Sequence, residues 1–456
     1  MISFDNINKP NWKYTLLYRY VNPVHHYIFY RRFYVLHSGR IPKGDPIVAI
    51  CNHQNGPLDA VGIIFAFKKD GRYPVCTARA DLFEKEIVAK ILRLMRIMPV
   101  FRAKDLGNES LTGNYGTFDK SAEILANDNG VVCIFPEAED EYLHHLRTFK
   151  KGFARIAFAA AEKTNFEKTI WILPTSNHYS NYFGMRNKLI VTIGEPFTFE
   201  DLYDIYRQHP PRALKMLADR AHEKVSAIML DIKDLNLYEA YDTIRRLCSR
   251  EYVKKEGLSA RYFPNILEAD RKIVATLDKL RNDDSEKFNT LMMSVKEYGG
   301  IVGQLHLSDR TLCQKINFGA VLLRCLSAIL LVPFIIYGFI VNFIPTNADT
   351  PVPVRIKDKI SHPAFLFFTG VLLIFPLWYL ILFIVAWCVT GVWWIAFIYF
   401  ISLPVSLVIY IHSKNFVKNQ YNLLRCFCLD RFGNCLYLRA MELRKEVIEM
   451  VERLMK

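Results

Sequence analysis

Short apolar, β-branched runs alternate with stretches of helical spacing through the first part of the chain. The run Pro46 to Cys51 (PIVAIC), bounded by Gly44 and Asn52, predicts a buried strand. Leu58 to Lys69 has helical spacing, and Pro57 suits a first helical turn. A further strand is expected at Met98 to Arg102 and a helix at Gly116 to Asn127. Strands at Gly130 to Phe135 and Thr169 to Pro174 flank a helix through Phe153 to Lys163, and Leu189 to Ile193 closes the series. Strands alternating with helices predict an α/β domain, a mixed and largely parallel sheet flanked by helices, over residues 39–210.

The flanking regions follow other patterns. Trp12 to Val35 mixes Tyr and Phe with Arg and His, a composition suited to the headgroup layer of a bilayer, so residues 1–38 are expected to form an interfacial helical segment. After Pro211 the strand signals fade; charged, Leu-rich sequence such as Ala213 to Ile232 predicts a helical extension, 211–316, packed on the α/β domain. Gly319 to Phe343 is apolar apart from Arg324, and Pro363 to Ile411 holds no charged side chain. About 20 apolar residues span a bilayer. Residues 317–412 therefore read as C-terminal transmembrane helices, the second run holding two spans with a turn near Thr390-Gly391. Three spans would place the basic tail (Lys414, Lys418, Arg425, Arg431) opposite a cytoplasmic domain, against the positive-inside tendency. A re-entrant hairpin broken at Pro333 would restore parity. The tail, 413–456, ends in a helix with an apolar stripe at Ala440, Leu443, Val447, Met450 and Leu454, suited to docking on its own protein or to a short coiled coil.

The formal charge of +14 calls for a polyanion nearby. The long apolar segments select a lipid bilayer as that partner, and no nucleic acid is expected. Ten cysteines form no C-x-x-C pair and read as small buried hydrophobes in a reducing compartment. Met1 to Lys13 lacks the apolar core of a signal peptide, which predicts a catalytic part facing the cytoplasm.

Chemistry concentrates in Asn52-His53-Gln54-Asn55-Gly56-Pro57-Leu58-Asp59, where a strand hands over to a helix. A neutral imidazole held by a carboxylate makes an alcohol nucleophilic at neutral pH, and His53 with Asp59 is a candidate pair. On one continuous helix the two would point about 120° apart. Asn55-Gly56-Pro57 breaks the helix and lets them converge. By spacing alone the pair is also compatible with a structural role.

This segment resembles the first signature block of the PlsC-like glycerolipid acyltransferase family, an Asn-His pair followed by an Asp. Met98-Pro-Val-Phe-Arg102 is similar to the second block, whose Arg binds the acceptor's phosphate, with Lys104 close by. Phe135-Pro-Glu137 is similar to the third, whose Glu helps hold the acceptor. Lys150-Lys-Gly-Phe-Ala-Arg-Ile-Ala157 is similar to its basic sequel, and Ile172-Leu-Pro174 to the fourth. The matches keep their order over Ile47 to Phe197. Two positions depart from the pattern. Five residues rather than four separate His53 from Asp59, as in the glycerol-3-phosphate/dihydroxyacetone-phosphate acyltransferase branch. Ala138 stands where the third block has Gly, and Ala adopts positive φ less freely, which points to a different loop after Glu137.

The resemblance implies His53 and Asp59 as catalytic, with Arg102, Lys104, Glu137, Lys150 and Lys151 binding substrate and Asn52, Gly152 and Pro174 in support. It implies an acyl-CoA or acyl-carrier-protein thioester as donor, a glycerol phosphate as acceptor, no cofactor, no metal, and a place at the inner (cytoplasmic) membrane. The run Glu137, Glu139, Asp140, Glu141, His144 and His145 matches no common ligand spacing. Rival expectations are acylation of 1-acyl-glycerol 3-phosphate or of another lysolipid or aminolipid, and, in a different class, an inactive lipid-binding membrane protein.

Overall fold

A computed structural model describes residues 7–100, 110–312, 318–346 and 362–455. The chain divides into two compact units, one comprising Met1–Asp231 with Asp358–Phe367, the other Ile232–Lys357 with Phe368–Lys456.

The described part of the first unit is built on a seven-stranded sheet of order β1-β7-β6-β2-β5-β3-β4. Its strands are β1 Tyr30–Leu36, β2 Ile47–Cys51, β3 Val75–Arg79, β4 Ile97–Val100, β5 Val131–Ile134, β6 Trp171–Tyr179 and β7 Asn187–Ile193. Every neighbouring pair is parallel except β6 and β7. All of β2 is buried, as a continuous Ile-Val-Ala-Ile-Cys run requires of a strand covered on both faces. Helix α1 spans Trp12–Pro23, α2 Pro57–Ala66, α3 Glu86–Leu94, α4 Ser110–Asp128, α5 Gly152–Lys163 and α6 Pro210–Ser226. Val48, Ile50, Val132 and Ile134 share a core with Leu125 of α4, Phe153 and Ala157 of α5, and Leu217 and Ala221 of α6. The small residues of α5 allow its close approach to β2.

Three expectations change here. Trp12 to Val35 is not helical throughout: α1 passes into a wide helical turn at Val24–Phe29 and then into β1, whose Tyr-Arg-Arg-Phe-Tyr-Val-Leu run pairs along β7 at the sheet edge. The strand β3 and helix α3 escaped the sequence reading, because β3 is a short run of small residues broken by Thr77 and α3 mixes Glu86, Lys90 and Arg93 with its apolar residues. The boundary near residue 211 moves to 231, since α6 buries Ala213, Leu217, Ala221 and Val225 in the α/β core.

The second unit is helical. It contains α7 Tyr238–Lys255, α8 Phe263–Asp283, α9 Ser285–Gln304, α10 Phe318–Thr346, α11 Leu366–Thr390, α12 Trp393–Arg431 and α13 Cys435–Leu454. Three of these, within Val321–Thr346, Leu366–Thr390 and Trp393–Arg431, are long and apolar enough to cross a membrane. They leave large apolar side chains such as Leu330, Val389 and Ile398 exposed, a surface suited to lipid and to membrane association. The expected turn is present: Gly391, at φ 69, ends α11 in the left-handed conformation. Pro333 breaks nothing; α10 runs continuously through it. A polar knot joins the three helices. The Tyr379 hydroxyl donates to Asn342 Oδ1 at 2.6 Å, and Asn342 Nδ2 donates to Ser406 Oγ at 3.2 Å.

The tail helix docks on its own unit. Its buried stripe is Tyr437, Ala440, Leu443, Val447 and Val451, and it packs along α9 and α7. Arg439 pairs with Glu297 at 2.8 Å, Arg444 with Asp309 at 2.8 Å, and Arg425 donates to the Leu305 carbonyl at 3.0 Å. Helices buried against each other share one side of a bilayer, so this packing predicts that Leu305 and Arg425 lie on the same side, with an even number of crossings between them. An impermeant thiol reagent applied to sealed vesicles is expected to label exposed Cys435 and a cysteine introduced by Met293→Cys on α9 from the same side. Labelling from opposite sides would refute the even count.

Candidate active site

In open α/β sheets, ligands bind beyond the carboxyl ends of the parallel strands. Here β2 ends one residue before Asn52-His53, β5 ends just before Phe135-Pro-Glu137, and β3 ends at Arg79. His53, Arg79, Phe135, Ala138, Lys150 and the first turn of α5 line one cavity of about 140 Å³. Its other walls are mostly apolar, including Val100, Phe118, Ile134 and Ile156.

His53 and Asp59 meet. After His53 the chain turns through Gly56, at φ 54, and Pro57 starts α2, which carries Asp59 back toward the imidazole. Nδ1 of His53 lies 2.9 Å from Asp59 Oδ2. A carboxylate only accepts, so Nδ1 carries the proton and Nε2 is the basic nitrogen. The carboxylate is fully buried and its oxygens are well supplied. Oδ2 also accepts from the backbone N–H groups of Gln54 (2.9 Å) and Asn55 (2.7 Å). Oδ1 accepts from the Tyr179 hydroxyl at 2.6 Å and from Asn177 Nδ2 at 3.3 Å. Such a set compensates for lost hydration and fixes the carboxylate in place. The imidazole stacks on Phe135, ring centroids 4.7 Å apart. Burial pulls the His53 pKa down, but the hydrogen bond and charge of Asp59, with the charges of Asp140 and Glu137, outweigh it, and the net shift is upward.

Glu137, expected to help hold the acceptor, is found bound to backbone N–H groups. It is buried, does not line the cavity, and spends both oxygens on backbone: Oε1 accepts from the His53 N–H at 2.5 Å and Oε2 from the Arg147 N–H at 2.9 Å. It therefore clamps the His53 loop to the loop after β5. Burial lifts its carboxyl to about 7, against the lowering effect of those two donors.

The loop after Glu137 also departs from expectation. Ala138 is not diverted into ordinary backbone; it sits at φ 65, the region that favours glycine. A left-handed non-glycine residue costs roughly 1–2 kcal/mol, partly offset by the greater unfolded-state freedom of glycine. Ala138→Gly is therefore expected to stabilise the protein by about 1 kcal/mol, read as a rise in the thermal unfolding midpoint in detergent.

Lys150 lines the cavity beside Gly152, whose helix presents unpaired backbone N–H groups there. Lys151 is exposed at the helix cap and does not line the cavity. Asn52 exchanges hydrogen bonds with the Asn177 backbone (3.0 and 2.7 Å) and so ties the His53 loop to β6. Pro174 lies opposite Ile50 inside the sheet, behind the cavity. Arg102 and Lys104 fall outside the described residues. The acidic and histidine run after Glu137 is dispersed: Glu139 pairs with Arg147, His145 with Asp231, and His144 with Tyr182.

Sequence reading missed Arg79, Asn177 and Tyr179. Arg79 lay on the unrecognised β3; Asp81 holds its guanidinium through two hydrogen bonds of 3.1 and 2.7 Å. Asn177 and Tyr179 belong to the extension of β6 beyond Pro174, where Thr175, Asn177 and Tyr179 share one face. That alternation was the available signal.

No curated protein matches the chain. Among solved structures, the 1-acyl-sn-glycerophosphate (LPA) acyltransferase PlsC from Thermotoga maritima is similar, with 19% identity and a TM-score of 0.32, covering 47% of this chain and 80% of that one. The family model described as Acyltransferase matches residues 32–177, which include the His53–Asp59 pair, its Glu137 clamp and Lys150. The matched residues 32–177 thus lie within the α/β unit, and the His53–Asp59 pair they include sits at the carboxyl end of the sheet.

Proposed function

We infer that the chain is a membrane-bound O-acyltransferase moving a fatty acyl group from acyl-CoA or acyl-carrier protein to glycerol 3-phosphate. The observation that carries this reading is the His53–Asp59 pair facing a cavity that also holds Lys150, Arg79 and the N-terminus of α5. The acceptor's phosphate is bound by these cations and by the backbone donors of α5. Its hydroxyl lies beside His53 Nε2, which takes the proton as the oxygen attacks the thioester carbonyl. The tetrahedral intermediate collapses to the ester and expels the thiolate, which takes the proton back from the imidazolium. Asp59 holds the imidazole and stabilises its cationic form, as in a hydrolase triad whose hydroxyl comes from the substrate. No covalent acyl-enzyme is required.

The apolar cavity wall, Val100, Phe118, Ile134 and Ile156, supports a second acceptor, 1-acyl-glycerol 3-phosphate, whose own chain needs such a surface. Thiol release from palmitoyl-CoA by the detergent-purified protein, with each acceptor offered separately, distinguishes the two. Turnover with glycerol 3-phosphate is expected. Turnover with the lysolipid alone would move the enzyme to the second acylation, and silence with both acceptors, from palmitoyl-CoA and from a palmitoyl-acyl-carrier protein offered in its place, would refute the reading.

A further inference from the structure

We propose that the α/β unit itself docks on an anionic bilayer surface through the outer face of α3, next to the catalytic cavity, with α1 as its neighbour in the same contact. β3 delivers Thr77, Ala78 and Arg79 to the cavity wall, and a short turn anchored by buried Phe83 leads directly into α3. Within α3 only Ala89 is buried. At about 100° per residue, Ala89 points about 200° from Ile87, whereas Ile91 lies about 40° and Val88 about 100° from it. The helix therefore turns its apolar side away from the protein. Ile87 is 75% exposed, Ile91 50%, and Leu82 of the preceding turn 40%. An ordinary surface helix does the opposite. Lys85, Lys90 and Arg93 flank this face together with Asp81, Glu84 and Glu86, so its own rim is charge-balanced; Glu86 pairs with Lys90 and Asp81 with Arg79.

The second part of the surface is joined to the first by Arg96, just after α3. Its guanidinium donates to the carbonyls of Ile7 (2.9 Å) and Asn8 (2.6 Å), which lead into α1, and lies 5.6 Å from the centre of the Tyr14 ring. On α1, Trp12, Leu16 and Tyr20 form an exposed stripe at four-residue spacing, while Tyr14 and Val21 are buried. Ile7 to Gly44 contains seven Lys and Arg residues and no Asp or Glu. The unbalanced positive charge of this segment, beside the apolar and aromatic side chains of α1 and α3, matches an anionic lipid surface, where rings and aliphatic groups enter the headgroup boundary and cations meet phosphates. The docking places the cavity at the layer in which acyl chains reside.

The test uses the full chain in nanodiscs of phosphatidylglycerol with brominated acyl chains, with the unaltered protein as fluorescence background. Tryptophan introduced by Ile87→Trp, and separately by Ile91→Trp, is expected to lose most of its added emission relative to unbrominated lipid. Tryptophan introduced by Tyr115→Trp, at a 72% exposed position on α4, is expected to keep it. Both α3 positions are exposed, so the variants do not disturb the core. Equal quenching at α3 and at position 115, or none at α3, overturns the proposal, the latter leaving a protein partner as the occupant of this face. The readout needs no turnover, so it stands or falls separately from the acyl-transfer reading.

Discussion

Replacing His53 by Ala is expected to lower turnover by about 10²–10⁴, the usual contribution of a positioned general base. The imidazole is the group in the cavity with a basic nitrogen and a fixed tautomer, because its Nδ1–H donates to Asp59 at 2.9 Å. Its side chain lies at the cavity wall rather than in the core, so truncation removes a stacking contact with Phe135 but no core packing. The backbone clamp to Glu137 runs through the His53 N–H and survives the change. Initial rates of thiol release, compared at matched protein and matched thermal unfolding midpoint, give the answer. A folded Ala variant retaining more than about a tenth of the activity would exclude His53 as the base.

Asp59→Asn is expected to cost about 10³–10⁴ in turnover and to move the acid limb of the pH profile. The pair predicts the sign. His53 must be neutral to accept a proton, so the rate falls as pH drops through its pKa. That pKa is raised by the Asp59 hydrogen bond and charge against the pull of burial, which puts the limb of the unaltered enzyme above the ordinary histidine value. Asparagine keeps an oxygen for the Gln54 and Asn55 N–H groups but removes the charge. The limb should therefore shift to lower pH while the plateau falls, because the imidazolium formed during transfer loses its counter-charge. A full pH series on both proteins measures this. A plateau that drops with the limb unmoved would show that Asp59 acts only as a brace for the loop.

The two substitutions separate functions that geometry has combined. Asp59 is at once the partner of His53 and the acceptor for two backbone donors, the Tyr179 hydroxyl and Asn177. Glu137 is purely a clamp in this arrangement. Its carboxyl, lifted to about 7 by burial, binds its proton more tightly than in the unfolded chain, so the folded state loses stability as pH rises from the ordinary carboxyl range toward 7. The loop that carries the base is thus itself pH-sensitive near neutrality.

By itself the sequence determined the elements whose pattern is local. The all-apolar β2, the helix started by Pro57, the uncharged Pro363 to Ile411 run and the turn at Gly391 follow from short-range chemistry, whereas the local sequence offered His53 and Asp59 only as a candidate pair across an Asn-Gly-Pro break. What tertiary structure decided is what depends on distant partners. β1 became a strand rather than a helix because β7 offered an open edge, and β3 became one although its apolar pattern is broken, because β4 and β5 flank it. Glu137 became a clamp because two separate loops present N–H groups to it, and Tyr179 reached Asp59 only because β6 continues past Pro174. The docking of the tail helix was hidden for the same reason. Hydropathy counts each apolar segment alone, whereas the burial of the tail helix against α9 brings the two ends of the region together.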